Sequence, residues 1–241
     1  MHINHFSNSF IKVVTKDAVI VCDPWVGFAN YGGWHSCPEY KFDDLVNAVE
    51  DATHVYISHV HNDHLDPDFL SKAKLLDKVF LINKYNNPVM RNRLSYIGVK
   101  DVIEVPSFTD FRLLGETSIT IVHQMTSNSA CKDDPINFDI DSSIIVHSKG
   151  VTFFNQVDNP LSQDDFKYVS NYIKKTYGKL DIACFMCGAA SEYPQCFVNI
   201  NRYDEKNRII KDSLKKLKQT LDYLSPANFF LAGGTYFIPG K

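Results

Sequence analysis

The sequence predicts an α/β sandwich, with two β-sheets face to face and helices over their outer faces. Three observations carry that prediction. The first half of the chain is a succession of short β-branched or aromatic runs bounded by turn residues. Helical periods sit between and after those runs. No internal repeat, low-complexity tract or Pro/Gly/Ser linker divides the 241 residues, so one domain over 1–241 is expected.

The expected strands, in order, are "SFIKVV", "AVIVCD", "THVYIS", "KVFLIN", "DVIEV", "FRLLG", "TSITIVHQ", "SSIIVHS" and "VTFFN". Among the helices, "FDDLVNAVED" sets Leu45 and Val49 four apart, on one face. "DPDFLSKAK" has Pro67 at a helix-start position, and "NPVMRNRLSYIG" ends on Gly98. "LSQDDFKYVSNYIKKTYG" offers Ser162 as N-cap, Asp165 three residues on and Gly178 just past the end. The longest helix, Asp204 to Leu224, stops before Ser225-Pro226, and "ANFFLAGG" reads as one more strand.

A net charge of −3 and a pI near 6.3 give no global attraction to nucleic acid or an anionic membrane. In the basic stretch "KNRIIKDSLKKLKQ" and just after it, Ile210, Leu214, Leu217 and Leu221 keep a helical period, which reads as a helix with a solvated outer face. The start "MHINHFSNSF" lacks a basic region followed by an apolar run, and no apolar stretch nears the roughly 18 residues of a membrane span. The expected compartment is the cytoplasm, so Cys22, Cys37, Cys131, Cys184, Cys187 and Cys196 are expected as free thiols. Cys184 and Cys187 form a C-x-x-C inside the apolar run "LDIACFMC", which reads as a further buried strand, with no second pair, and they read as structural.

The densest chemical signal is "ISHVHNDHLD", Ile57 to Asp66, at a strand end. His59 and His61 are two apart and project the same way in extended backbone. Asp63 and His64 follow where the chain turns. Two imidazoles on one side can share a metal, and a carboxylate with a further His can hold a second ion at the ~3.5–4 Å spacing of two-metal sites. Zinc and similar ions prefer such donors. A lone His would be read as a surface residue; this spacing points to metal.

This H-x-H-x-D-H stretch resembles the signature of the metallo-β-lactamase fold superfamily, with His59, His61, Asp63 and His64 matching in order. The resemblance implies an αβ/βα four-layer sandwich with metals on one edge between the sheets. It implies His123, ending "TSITIVH", as the next ligand, and Asp158, after "VTFFN", as a bridging carboxylate. Where relatives have a glycine before that Asp, this chain has Val157. "CDPWVGFANYGGW", "CGAASEYPQCF" and "FNQVDN" look like the branch containing CMP-N-acetylneuraminate hydroxylase. They are similar, more distantly, to N-acylphosphatidylethanolamine-hydrolysing phospholipase D and ascorbate-6-phosphate lactonase. No cysteine begins a Cys-x-His or Cys-x-x-His, so a Rieske cluster like that hydroxylase's is not expected.

The expected function is therefore a metal-dependent hydrolase. Its ions would lower the pKa of bound water towards about 7, providing hydroxide for a phosphoester, phosphodiester, lactone or sugar-nucleotide-type substrate. Asp63 would orient that nucleophile and accept its proton. Two zinc ions are expected, with iron or manganese as alternatives. The resemblance also implies one more ligand His near the C-terminus, but the last histidine is His147, so the second site (Asp63, His64 and Asp158, completed by water or His35) is expected to be weaker than the first (His59, His61 and His123). Asp23 in "IVCDPW" reads equally as a turn Asp before Pro or as the acceptor that orients a ligand His. Ser191, Tyr193 and Gln195 are candidate substrate contacts. Trp25, Phe28, Tyr31, Trp34 and His35 crowd a loop that reads as substrate wall or as packing, and His147 is expected to face solvent. The partner expected is a small molecule, such as a phosphorylated or nucleotide-linked sugar, and not nucleic acid. The other readings are an iron-dependent oxidoreductase on the same fold and a non-catalytic binding protein of polysaccharide assembly. A β-CASP-type nuclease is disfavoured by the acidic pI and the lack of room for an inserted domain.

Overall fold

A computed structural model of the protein describes residues 1–125, 140–186, 193–194, 197–234 and 236–237. The first half runs β1 (His2–Ser7), β2 (Phe10–Val14), β3 (Val19–Cys22), β4 (Phe28–Ala29), β5 (Trp34–Ser36), α1 (Phe42–Val49), β6 (His54–Tyr56), α2 (Pro67–Lys72), β7 (Val79–Asn83), α3 (Val89–Tyr96) and β8 (Asp101–Val105). The second half runs β9 (Phe111–Leu114), β10 (Thr117–His123), β11 (Ser142–Ser148), β12 (Val151–Asn155), α4 (Gln163–Tyr177), β13 (Ile182–Met186), α5 (Arg202–Leu224), β14 (Asn228–Ala232) and β15 (Tyr236–Phe237).

Two six-stranded sheets result, ordered β1-β2-β3-β6-β7-β8 and β14-β13-β12-β11-β10-β9. Strands joined by tight turns pair antiparallel, as in β1/β2 and β11/β12. Strands separated by a helix pair parallel: β3/β6, β6/β7, β7/β8, β12/β13 and β13/β14. The central strands are buried on both faces, which is why they read as nearly continuous apolar runs. Ile20, Cys22, Tyr56 and Leu81 meet Ile119, Ile121, Ile144, Val146, Phe153 and Cys184 between the sheets. On the outer face of the first sheet, Val21, Val55, Phe80 and Ile82 pack against Leu45, Val49, Phe69, Leu70 and Leu94 of α1, α2 and α3. On the outer face of the second, Ile145, Phe154 and Phe185 pack under Phe166, Val169, Ile173 and Leu224 of α4 and α5. The layers are α/β/β/α.

Local chemistry sets the helix ends. Asp66 caps α2, accepting from the N–H groups of Asp68 and Phe69, with Pro67 first in the helix. Ser162 and Asp165 form a reciprocal capping box on α4, and Gly178 ends it at φ 85°. α5 starts at Arg202, earlier than the expected Asp204, because Asn201 caps the N–H groups of Tyr203 and Asp204. Its last turns pack on the sandwich through Leu217, Leu221 and Leu224, whereas Ile210 and Leu214 stay exposed.

Four strands lie outside the sequence expectation. β1 is a polar edge strand, and β4, β5 and β15 make a small three-stranded sheet of two- and three-residue strands, too short for any period to show. His147, expected to face solvent, is half-buried. Its ring stacks on Tyr177 at 4.7 Å and its Nδ1 lies 3.0 Å from the Thr152 hydroxyl. Cys22 and Cys184 are buried between the sheets, and Cys131, Cys187 and Cys196 fall outside the described residues. No helix among the described residues is long and apolar enough to cross a membrane.

Candidate metal centre

The carboxyl ends of β3, β6, β7 and β12 open onto one edge of the sandwich, the place where parallel α/β strands present functional side chains. Asp23 follows β3, the His59–His64 loop follows β6, and Asp158 follows β12. From β10 and β11 of the second sheet come His123, at a strand end, and Asp141, just before Ser142 opposite it. A chain of hydroxyls ties the sheets together here. Tyr56 OH lies 2.8 Å from Ser142 Oγ, which donates to the Ser58 carbonyl at 2.9 Å, and Tyr85 OH donates to the same carbonyl at 2.5 Å.

One carboxylate organises two imidazoles. Asp23 is fully buried and accepts from Ser58 N (2.8 Å), Ser58 Oγ (2.6 Å) and His64 Nδ1 (3.0 Å). A hydroxyl has a single proton, and that of Ser58 points to Asp23. Ser58 Oγ must therefore accept from His59 Nδ1, 2.9 Å away. Both imidazoles thus carry hydrogen on Nδ1, held directly or through Ser58 by Asp23. Their Nε2 atoms face the opposite way, the arrangement by which ligand histidines are oriented. Asp23 sits at φ 42°, a left-handed turn that Asp tolerates.

His59 Nε2 lies 2.8 Å from His61 Nδ1 and accepts a hydrogen bond from it, so these two ring nitrogens face each other. His64 Nε2 lies 3.3 Å from Asp158 Oδ2 and 3.4 Å from Asp63 Oδ2, yet it is buried with no hydrogen bond. Ligand atoms of His59, His64 and Asp158 lie within 4.8 Å of one another, the one such group among the described residues. A buried imidazole nitrogen aimed between two carboxylates suits a cation placed among them. Nitrogen and carboxylate donors in this proportion fit zinc, iron or manganese.

The titration behaviour follows from the same contacts. Burial pushes His59 well below the usual imidazole range, and the neighbouring His64 adds to this, so His59 is neutral. Burial also opposes charge on His64, but Asp158, Asp23 and Asp63 outweigh it and raise His64 well above its usual value. Burial would raise Asp63 and Asp158 as well; the nearby cationic His64 side chain wins, and both are lowered. Asp23 is raised by burial despite its bonds to His64 and Ser58.

Asp141 belongs to this edge and was missed in the sequence. It is buried, with its Oδ1 3.9 Å from His59 Nδ1. Burial, and then the charge of Asp158, raises it to about 7. An acid immediately before a strand was the available signal. Ser58 and Asn8 were missed too, and a hydroxyl or amide in a turn sends none.

The remaining candidates sit on other elements. His123 ends β10, with Phe108 edge-on at 5.7 Å. His35 lies on β5, with Nδ1 3.0 Å from the Ser36 carbonyl and its ring against Phe28 at 4.5 Å. Tyr193 donates to Glu205 Oε2 at 2.6 Å, at the start of α5, while Ser191 and Gln195 lie outside the described residues. In the aromatic loop Trp25 is buried packing, but Phe28 and Tyr31 are exposed. With Asn62, Leu65, Asp66 and Pro67 they line an open groove of about 340 Å³ beside the histidine loop. Val157 adopts φ 55°, the left-handed conformation that a glycine takes without strain.

No family model matches the chain. A Mycolicibacterium smegmatis protein named for a Rieske 2Fe-2S iron–sulfur protein is 26% identical over 240 residues, 99% of this chain and 43% of that relative, so the chain spans less than half of its length. A Dinoroseobacter shibae protein named a UPF0173 metal-dependent hydrolase is 22% identical over 169 residues, 68% of this chain and 66% of that one. Among solved structures, the diiron β-hydroxylase CmlA from Streptomyces venezuelae superposes at a TM-score of 0.67 with 17% identity, over 96% of this chain and 44% of its own. A "possible metal-dependent hydrolase" from Veillonella parvula gives 0.64 with 13% identity, over 96% and 84%. The metallo-β-lactamase fold protein YhfI from Bacillus subtilis gives 0.53 with 16% identity, over 94% and 89%. The four layers and these likenesses define the class: this is a metallo-β-lactamase fold, as the histidine signature predicted.

Proposed function

We propose that the protein, one unit over 1–241, is a metal-dependent hydrolase of a small phosphoester, phosphodiester, lactone or sugar-nucleotide-type substrate in the cytoplasm. The observation that carries this is the convergence of His59, His64 and Asp158, with His64 Nε2 buried between the carboxylates of Asp63 and Asp158. His59 and His61, joined by His123, would hold one ion. His64 and Asp63 would hold a second, with Asp158 between the two. Bound divalent ions supply water of lowered pKa and polarise a carbonyl or phosphoryl oxygen. Asp23 and Ser58 keep the Nε2 atoms of His59 and His64 turned to the site. Asp63 orients the attacking water and takes its proton, a role its lowered pKa suits because it stays ionised at neutral pH.

A second reading is an iron-dependent oxidoreductase, favoured by the likeness to a diiron hydroxylase and to a relative named for an iron–sulfur centre. Metal analysis of protein purified without added metal separates the two, followed by a panel of phosphodiester, lactone and sugar-nucleotide substrates. Zinc with hydrolytic turnover, abolished along with most bound metal in the double variant His59→Ala/His61→Ala, is the expected result. Iron with no hydrolysis of any panel member refutes the hydrolase reading.

A further inference from the structure

We propose that Asn8 is a positioning residue for Asp63, its carboxamide holding the carboxylate in register with His64. The inference rests on the reading of Asp63 as a metal ligand. It starts from an oddity of the β1–β2 hairpin. Its tip, Ser7-Asn8-Ser9, has the composition of a solvent-exposed turn, yet all three residues are buried. A polar tip is buried only where its groups find partners.

Asn8 finds them at the metal edge. Its Nδ2 donates to the main-chain oxygen of Asp63 (3.5 Å) and to Asp63 Oδ2 (3.4 Å), two acceptors of one residue. Both bonds are longer than the usual N–H···O range of about 2.7–3.2 Å, so they direct more than they stabilise. Asp63 Oδ2 is the oxygen that faces His64 Nε2.

The arm that presents the amide is fixed at its base. The Asn8 carbonyl accepts from His5 Nε2 (2.8 Å) and from Gly233 N (3.1 Å), which joins the hairpin to the end of β14. The β1/β2 register shifts between His5 and Ser7, a bulge of the kind that re-aims a side chain beside a site. Asn8 takes φ 46°, which Asn tolerates and glycine adopts freely.

That backbone makes Asn8→Gly the informative variant, because it removes the carboxamide and keeps the turn and its carbonyl contacts. Zinc is titrated by calorimetry into the chelator-stripped full chain, with the thermal midpoint of the metal-free protein as control. Asn8→Gly should weaken the second zinc by about tenfold and leave the first unchanged. In an Asp63→Asn background it should add no further loss, since there is no carboxylate left to position. If Asn8→Gly lowers the metal-free midpoint by more than about 10 °C, Asn8→Ser is measured in its place, its hydroxyl being too short to reach Asp63. Wild-type affinity for both ions, equal weakening of both, or the same loss in the Asp63→Asn background would each overturn the proposal. If Asp63→Asn alone leaves zinc binding intact, Asp63 is no ligand and the proposal falls with that assignment. If Asp63→Asn weakens binding and Asn8→Gly does not, only the proposal for Asn8 falls.

Discussion

Replacing Asp23 by Asn tests whether one carboxylate holds both imidazoles. The variant keeps the volume of a fully buried side chain but removes its charge. It also turns one acceptor oxygen into a donor facing Ser58 and His64. Three hydrogen bonds end on this carboxylate, two at 2.8 Å or less. Breaking a buried charged network by removing one partner costs about 3–5 kcal/mol. For a chain of this length that lowers the thermal midpoint by about 6–20 °C, at about 2–4 °C per kcal/mol. Loss of the group that orients a ligand histidine weakens metal binding by about 10–100-fold. Because His64 depends on Asp23 directly and His59 through Ser58, both ions should weaken. Ser58→Ala should weaken only the ion held by His59. Thermal melts and zinc titration of the two variants read these effects. If Asp23→Asn loses the His64 ion alone, or binds both like the wild type, the shared-anchor reasoning is wrong.

Two further predictions use buried residues of the same edge. Asp141 is raised from 3.8 to about 7, so the metal-free native state holds a proton there that the unfolded chain releases near pH 4. Its contribution to stability therefore falls as pH rises from about 4 to 7 and then levels off. Asp141→Asn should be more stable than wild type at pH 8 and no better at pH 4, and parallel midpoint–pH curves would refute this. For Val157, buried against the inter-sheet core at φ 55°, removing the side chain forfeits about 1.5–3 kcal/mol, while relief of the left-handed backbone returns about 1–2 kcal/mol. Val157→Gly should then match or exceed Val157→Ala in chemical denaturation, reversing the usual order of those residues. An alanine variant clearly more stable than the glycine would mean that the strain is absent.

What could be read in the sequence was whatever rests on local chemistry. α4 is legible because Ser162, Asp165 and Gly178 write both of its ends, and the sheet strands because burial on two faces makes them apolar throughout. The histidine loop is legible because its donors are consecutive. The unread parts depend on distant partners. β4, β5 and β15 exist only because two- and three-residue segments from both ends of the chain meet. Asp141 becomes a site residue only when β11 is set beside β10, and Asn8 only when the hairpin tip folds onto Asp63. His147 carried a turn signal just after it, and no local pattern could foretell Tyr177 across from it.

The long helix near the end of the chain joins two kinds of environment. From Leu217 onward α5 shares the apolar layer above the second sheet, but around Tyr203, Ile210 and Leu214 it lies open to water. A helix draws most of its stability from such packing, so the two halves have different resistance to opening. Amide hydrogens near residue 208 would exchange through fraying that leaves the sandwich intact. Those near residue 221 would wait for the second sheet to come apart. The backbone is one continuous rod, and its protection is graded along it.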